Sequence, residues 1–191
     1  MDRQPVLEGE RLLLRPLTAA DWQELYAVAS DPAIWAIHPV PDRWREPVFR
    51  AFFEDAVAQQ GALTVIDKQS SRVAGSSRFI LREPVREGEV EIGSTFLARV
   101  LWGTGANAEM KRLMLAHALR FVSRVVFRVG VDNLRSRAAM TRIGARLTDE
   151  PFMIIHEGRE LPQVVYEVTR ESFATGPLAN PPRNGEGDRD A

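Results

Sequence analysis

A loop containing two glycines joins a strand-like segment to a helix near the middle of the chain, at residues 99–112, RVLWGTGANAEMKR. Gly103 and Gly105 allow close approach to the backbone and conformations that other residues resist. The unpaired amides of the first helical turn, together with the helix dipole, favour an anion beside them. The junction therefore predicts a site for a phosphorylated ligand. A plain strand-to-helix turn is the alternative, because the loop lacks the Gly-Lys-Ser/Thr ending of a P-loop and the third glycine of a dinucleotide fingerprint.

The composition limits the class of protein and of partner. With 191 residues, 45% of them hydrophobic, the chain has the size of one domain with a sizeable core. Its 25 basic and 26 acidic residues leave no basic excess of the kind that binds nucleic acid or a membrane surface. We expect a cytoplasmic protein with small or peptidic partners, since no apolar run is long enough for a bilayer span. Lysine occurs only at Lys68 and Lys111, which we attribute to compositional bias.

The hydrophobic pattern predicts the order strand, helix, helix, three strands, helix, strand, helix and two strands. Helix boundaries follow from Thr18 as an N-cap, from Asp31-Pro32 as a stop, and from Gly144 as a left-handed C-cap. From Gly176 onward the chain has almost nothing to bury, so we expect a disordered tail. The predicted strands are residues 11–17, 62–67, 73–81, 87–97, 125–131, 145–155 and 161–169, and the longer predicted helices are 46–60 and 107–123.

Five local motifs occur within this order of elements. They are LEGERLLLRPL at 7–17, DPAIW at 31–35, EIG at 91–93, WGTGAN at 102–107, and NLRS at 133–136 followed by IGA at 143–145. In this order and spacing the chain resembles the GCN5-related N-acetyltransferases (GNAT) over about residues 6–170. The resemblance is closest to the branch that acetylates the N-terminal alanine or serine of ribosomal proteins.

The resemblance implies an α/β (α+β) GNAT fold. Its central sheet would be mixed and mostly antiparallel, with helices on its flanks and with the fourth and fifth strands splayed apart. A single N-acetyltransferase domain would then occupy residues 1–175, and residues 176–191 would form the disordered tail.

The resemblance also implies where acetyl-CoA binds. The pantetheine arm would lie in the gap between the splayed strands, and Asn133 would touch that arm unless it serves only to form a turn. The family's loop reads Gln/Arg-x-x-Gly-x-Gly/Ala, from which this chain departs at its first and last positions, although main-chain amides rather than side chains hold the phosphates. The implied ligand-binding residues are Phe96, Leu97 and Ala98 on the fourth strand and Trp102, Gly103, Thr104, Gly105, Ala106 and Asn107 in the loop.

Transfer to an amine requires that a substrate ammonium first lose a proton, and a carboxylate beside the gap would serve as base. Glu91 is the candidate, because the glutamate of the Glu-x-Gly strand often faces the acceptor in the resembling enzymes. Glu89 shares its face by strand alternation and is the reserve. A structural salt bridge is the alternative role for Glu91. The oxyanion would meet a backbone N–H of the bulged fourth strand, at Leu97.

The departing thiolate needs a proton or a hydrogen bond. Many relatives supply a tyrosine seven residues after the asparagine that matches Asn133, where this chain has Met140. Ser136 is the nearest replacement, as in the ribosomal-protein branch. The alternative is that Ser136 acts as a helix N-cap.

The segment between the first two predicted helices lines the acceptor entrance in this family. It holds Trp35, His38 and Trp44, which either shape the substrate pocket or simply pack. The three histidines show no ligand spacing, so no metal site is predicted.

The sequence thus favours an N-acetyltransferase that passes an acetyl group directly from acetyl-CoA to a primary amine, without a covalent enzyme intermediate. The resemblance favours a peptide N-terminus as acceptor, and small-molecule amines remain open, as does a monomer or a homodimer. The rival functions are a non-catalytic acyl-CoA-binding or regulatory domain and, more distantly, a nucleotide-binding α/β domain.

Overall fold

The computed structural model describes residues 1–82 and 86–179, and its centre is a mixed sheet of nine strands. The strands are β1 (Leu7–Glu8), β2 (Leu12–Pro16), β3 (Ala62–Asp67), β4 (Arg72–Ile80), β5 (Glu89–Leu97), β6 (Arg124–Gly130), β7 (Arg146–Leu147), β8 (Phe152–His156) and β9 (Arg159–Thr169). The α-helices are α1 (Trp22–Ala29), α2 (Pro32–Trp35), α3 (Glu46–Gln59), α4 (Ala106–Ala118), α5 (Leu134–Arg142) and α6 (Arg170–Thr175), with 3-10 turns at Ala19–Asp21 and Arg99–Leu101.

The strand order is β1-β2-β3-β4-β5-β6-β9-β7, and β8 pairs with β9 beside β7. Every neighbouring pair is antiparallel except β5 and β6, which are parallel. That pair is joined only from Glu89–Glu91 to Arg124–Val126, and beyond it the two strands diverge. The splay predicted for the fourth and fifth strands is therefore confirmed, at β5 and β6 in the numbering that counts the short β1.

A β-bulge lies in β5 at the point of divergence. Ser76 and Arg78 of β4 face Phe96 and Gly93, so β5 carries one extra residue between these pairs. Ser94, within the extra stretch, has a φ of 50°, in the left-handed region. The bulge bends β5 away from β6 and opens the gap.

The two faces of the sheet carry two separate apolar cores. Strand alternation sends Val90 and Ile92 of β5 toward α4, while Glu89 and Glu91 point to the opposite face. The core on the α4 face includes Leu14, Val65, Phe79, Met110, Met114, Leu115, Val125 and Phe127. The core on the other face joins α1, α2 and α3 through Leu25, Trp35, Phe49, Phe53 and Phe96.

Most predicted boundaries agree with the structure to within one or two residues, and the larger differences are the following. Helix α4 ends at Ala118 rather than at residue 123, because the chain turns so that the backbone N–H groups of Ser123 and Arg124 can donate to the Gly88 carbonyl. Phe121 therefore lies outside the helix and is 52% exposed. The strand predicted at 145–155 is divided into β7 and β8 by a segment that contains Pro151, which has no N–H to donate to a ladder. The short helix α2 was not predicted.

The C-terminal segment packs against the domain as far as it is described. Gly144 ends α5 with a φ of 77°, as predicted, and Pro177 lies against it. Leu178 is buried in the core of the α4 face, although it falls within the tail that we expected to be disordered. Residues 180–191 of that tail lie outside the described residues. Within the described ranges, the helices are all too short or too polar to cross a membrane.

Candidate active site

The glycine loop has the backbone expected of an anion site. Gly103 and Gly105 have φ values of 73° and 84°, and a Cβ built on either would meet no atom within 4 Å. Helix α4 begins at Ala106, and its first intrahelical bond runs from the Glu109 N–H to the Gly105 carbonyl, over 3.0 Å. The amides of Ala106 and Asn107 therefore have no intrahelical acceptor and lie at the positive end of the helix. The open space beside Gly103 and Gly105, next to these two amides, fits a pyrophosphate.

The start of α4 is fixed to the sheet through Glu109. Its carboxylate accepts hydrogen bonds from the backbone N–H groups of Arg11 and Leu12, over 2.9 and 3.1 Å. This contact joins the phosphate-binding candidate to β2, nearly one hundred residues earlier in the chain.

The side chains of the loop are tied to their surroundings. The Thr104 hydroxyl donates to the Leu101 carbonyl over 2.8 Å, so its proton is already engaged. The Trp102 indole N–H donates to the Leu97 carbonyl over 3.1 Å. The guanidinium of Arg135, at the start of α5, lies 4.1 Å from the centroid of the Trp102 ring and donates to the Ile34 carbonyl over 2.8 Å. Arg135 thus links α5 to the loop and to α2, which the sequence analysis did not foresee.

Among the described residues, no strand pairs with the edge of β5 that faces the gap beyond Glu91. Phe96 and Leu97 pair with β4 on one side, and the recorded pairing with β6 stops at Glu91. Because the Ala98 N–H donates to the Ala74 carbonyl over 2.7 Å, strand alternation turns the Leu97 N–H away from β4 and toward the gap. Phe96, Leu97 and Ala98 therefore lie where a linear ligand would run from the gap to the glycine loop.

Asn133 and Ser136 lie together at the start of α5. The Asn133 side-chain oxygen accepts from the Ser136 backbone N–H over 3.2 Å, and Asn133 is 7% exposed. Asn133 is therefore the N-cap, and the alternative that Ser136 caps the helix is wrong. Ser136 is half-buried in the first turn of α5, while Met140, at the position of the family tyrosine, is buried in the core.

Glu91 is buried and held by two arginines. Its carboxylate accepts from Arg128 of β6 over 2.6 Å and from both the Nε and an Nη of Arg82. A Cβ at Gly93 would lie only 2.8 Å from the Glu91 Oε1 atom. The Glu-x-Gly pattern thus has a physical basis, because the glycine makes room for a carboxylate that leans along β5 toward the gap.

A small cavity of about 110 Å³ lies beside Glu91 on the face opposite α4. Arg124 does not line the cavity but pairs with two carboxylates that do, Glu89 and Glu150, and with Glu167. Its charged lining residues are Arg82, Arg86, Glu89, Glu91, Arg128 and Glu150, and Phe152 covers the Arg128 guanidinium at 4.3 Å. Opposite charges balance among these lining residues. The arginines were not predicted from the sequence, because Arg128 comes from β6 and because Arg82 and Arg86 lie outside the strands, in the segment before β5.

The predicted acceptor residues are only partly brought together. Trp35 is buried, donates its indole N–H to the Ala29 carbonyl over 2.7 Å, and contacts both His38 and Phe96. Burial lowers the pKa of His38 to about 3, with the charge of Arg43 adding to the effect. Trp44 packs at the edge of the same core under the Arg45 guanidinium. Trp35 and His38 therefore form one cluster beside β5, in which Trp35 makes mainly packing contacts.

Lys111 is a residue that the sequence analysis set aside. It lies on α4 with only 3% of its surface exposed, and its Nζ donates to the Thr95 hydroxyl over 2.7 Å. Helical spacing could have indicated that Lys111 is buried, since it shares the buried side of α4 with Met114, Leu115 and Ala118.

The described residues contain no group of three or more histidine, aspartate or glutamate side chains that could hold a metal ion. His117 of α4 is buried, and its Nε2 lies 2.7 Å from the Asp2 carbonyl. Arg99, which precedes the glycine loop, pairs with Asp31 over 2.5 Å.

Residues 11–146 match the family model described as Acetyltransferase (GNAT) domain. The chain belongs to the GNAT family. The match spans most of the chain and includes β5, the glycine loop and α5. Membership confirms the resemblance drawn from the motifs, and it supports acetyl transfer from acetyl-CoA as the general activity.

Solved structures share the fold. A GCN5-related N-acetyltransferase from Brucella melitensis aligns with 24% identity and a TM-score of 0.74, over 89% of this chain and 80% of its own. The microcin C7 self-immunity acetyltransferase MccE, in complex with acetyl-CoA and AMP, aligns with 18% identity and a TM-score of 0.70, over 88% and 98%. Mycobacterium smegmatis RimJ, in complex with CoA-disulfide, aligns with 14% identity and a TM-score of 0.67, over 88% and 86%. No curated protein matches the chain.

Proposed function

We propose that this GNAT protein is an N-acetyltransferase that transfers the acetyl group of acetyl-CoA directly to a primary amine. One observation carries the proposal: beyond its pairing with β6, the edge of β5 leads to the amides at the start of α4, which have no acceptor within the helix. A ligand with a linear arm and a pyrophosphate can place its arm along the edge of β5 and its pyrophosphate on the amides of α4. Two structures of the same fold hold acetyl-CoA and CoA-disulfide, which supports this ligand class.

In this proposal the backbone does most of the binding. Phe96, Leu97 and Ala98 hold the pantetheine arm through β5, and the loop from Trp102 to Asn107 holds the pyrophosphate through its amides. The Leu97 N–H, which points into the gap, stabilises the negative charge that develops on the acetyl oxygen during attack. The Asn133 side chain contributes to the site by capping the start of α5 rather than by bonding to the ligand.

Glu91 is the proposed base. A primary ammonium must lose its proton before its nitrogen can attack the thioester carbon, and Glu91 leans along β5 toward the gap over Gly93. Arg128 and Arg82 fix the carboxylate in this orientation. The proton passes to Glu91 directly or through one water. Ser136, whose backbone is held by Asn133, offers its hydroxyl to the departing thiolate.

The acceptor is proposed to enter past residues 35–44. Pro39 packs against Gly130 at the end of β6, so this segment lies over one side of the gap. Trp35 and His38 would shape the pocket, and Trp44 would support it. The resemblance to the ribosomal-protein branch favours a peptide N-terminus, and the neutral state of His38 adds no positive charge that would repel an ammonium.

A non-catalytic acyl-CoA-binding domain is the second candidate, and the burial of Met140 in place of the family tyrosine favours it. The two are separated by calorimetric titration with acetyl-CoA, CoA and ATP, combined with a thiol-release assay over a panel of N-terminal peptides and small amines. Acetyl-CoA binding with turnover supports the enzyme. Binding without turnover on any acceptor supports the binding domain, and a preference for ATP over acetyl-CoA contradicts both.

A further inference from the structure

Lys111 lies at the apex of the gap between β5 and β6. Its Nζ bonds to Thr95, which lies within the bulge of β5, and is 5.4 Å from the centroid of the Phe127 ring. Phe127 is the first residue of β6 beyond the paired segment that ends at Val126. The amine therefore reaches the gap from the α4 side, at the level where the two strands separate.

No carboxylate among the described residues pairs with Lys111. Its Nζ donates instead to the Thr95 hydroxyl, which also lies 2.7 Å from the Ser77 hydroxyl. The charged groups of the adjoining strands, Glu89, Glu91 and Arg128, pair with one another on the opposite face. Burial alone lowers the pKa of Lys111 to about 7. A substantial fraction of this amine is therefore neutral near neutral pH, and a neutral lysine amine is a nucleophile.

We propose that Lys111 is a self-acetylation site, at which the chain takes one acetyl group from the acetyl-CoA bound in its own gap. The proposal rests on the proposed function, because it needs the thioester to lie between β5 and β6. Thr95 and Leu97 are two residues apart on one strand, about 7 Å, so the amine starts close to the N–H assigned to the acetyl oxygen. To attack the thioester, the Nζ must leave the Thr95 hydroxyl and turn along β5 toward Leu97.

The chemistry balances without a further reactant. The lone pair of the neutral Nζ attacks the thioester carbon, a C–N bond forms and the C–S bond breaks. The sulfur leaves as thiolate, and the proton released from nitrogen returns to it or to solvent. The product is an amide and does not transfer further, so the modification is limited to one acetyl group per chain. It also replaces a titratable amine at the apex of the gap by a neutral group.

The chain provides its own control, because Lys68 is its one other lysine. Lys68 lies at the surface, 38% exposed, and its Nζ pairs with Glu8 over 2.6 Å and bonds to the Gly9 carbonyl. It is the more accessible lysine, so chemical acetylation from solution would modify Lys68 in preference to Lys111.

The test incubates the folded chain with isotopically labelled acetyl-CoA and locates the label by intact-mass and peptide mass spectrometry. We expect one label per chain at Lys111, formed faster as pH rises through about 7. Lys68→Arg should retain the label and Lys111→Arg should lose it. A urea-unfolded sample should show no preference for Lys111. Mapping the wild-type chain requires no variant, so the result holds even if Lys111→Arg folds poorly.

Calorimetry on the same samples separates this proposal from the proposed function. Acetyl-CoA binding without label at Lys111, or with label mainly at Lys68, would overturn self-acetylation and leave the transferase intact. A chain that does not bind acetyl-CoA at all would overturn both.

Discussion

Gly105→Glu tests the glycine loop most directly. The residue has a φ of 84°, and its missing Cβ faces open space, so a glutamate fits without a clash but must adopt the left-handed conformation. That conformation costs about 1–2 kcal/mol for a residue with a side chain. In a domain of this size the melting temperature should fall by about 2–8 °C.

The effect on binding should be larger than the effect on folding. A carboxylate about 4 Å from a phosphate charge is repelled by about 1 kcal/mol in bulk water and about 4 kcal/mol at the effective dielectric of a protein surface. These limits correspond to a loss of affinity for acetyl-CoA of about fivefold to about a thousandfold. Gly105→Gln adds the same bulk without charge, so the difference between Glu and Gln isolates the electrostatic part. That difference should shrink in 1 M salt.

Gly158→Glu is the matched folding control. Gly158, in the turn between β8 and β9, also has a positive φ, 74°, and an open Cβ position. It should lower the melting temperature by a similar amount while the dissociation constant of acetyl-CoA, measured by calorimetry, stays unchanged. A folded Gly105→Glu variant with wild-type affinity would refute the assignment of this loop to the pyrophosphate.

Four further predictions concern single residues. Glu91→Gln keeps the shape but removes the base, so turnover in the thiol-release assay should fall by about a hundredfold with unchanged acetyl-CoA affinity; equal turnover would assign the proton to solvent. Ser136→Ala should slow turnover without lowering the melting temperature, since Asn133 is the cap, and the reverse pattern would remove Ser136 from the mechanism. Asn133→Ala should destabilise the fold by about 0.5–2 kcal/mol in chemical denaturation, and an unchanged midpoint would contradict the capping role. His38 has a lowered pKa in the folded state, so protons bind preferentially to the unfolded chain below about pH 6.5. Stability should therefore fall by about 2 kcal/mol between pH 7 and pH 5, and His38→Gln should remove that part of the pH dependence.

Local signals in the sequence were sufficient for much of the fold. The sequence pattern placed β3 at the residues where it is found, and the next predicted strand, 73–81, differs from β4 by one residue at each end. The Thr18 N-cap was confirmed as a capping box with Asp21, and Gly144 was confirmed as the left-handed end of α5. Each of these features depends on the conformational preference of a few adjacent residues. The five motifs indicated the family, and the resemblance to the family predicted that β5 and β6 splay apart.

The ion-pair partners of charged residues could not be predicted from the sequence in the same way. Glu91 was chosen as a base from its motif, yet its contact with Arg128 joins residues 37 positions apart. That pairing exists because parallel β5 and β6 bring their side chains onto one face, which requires the intervening α4 to pack on the other. The division of the 145–155 strand and the burial of Leu178 likewise depend on contacts with distant elements.

The sequence by itself determined the order of elements, the glycine loop and the family motifs, because turn chemistry, helical spacing and strand alternation act over neighbouring residues. Only the tertiary structure decided which polar groups are buried and what they meet. It made Asn133 rather than Ser136 the N-cap, placed two arginines on Glu91, and left the amine of Lys111 at the apex of the gap with no carboxylate partner among the residues that the structure describes. Burial sets the cost of a charge, and burial is a property of the packed chain rather than of any segment.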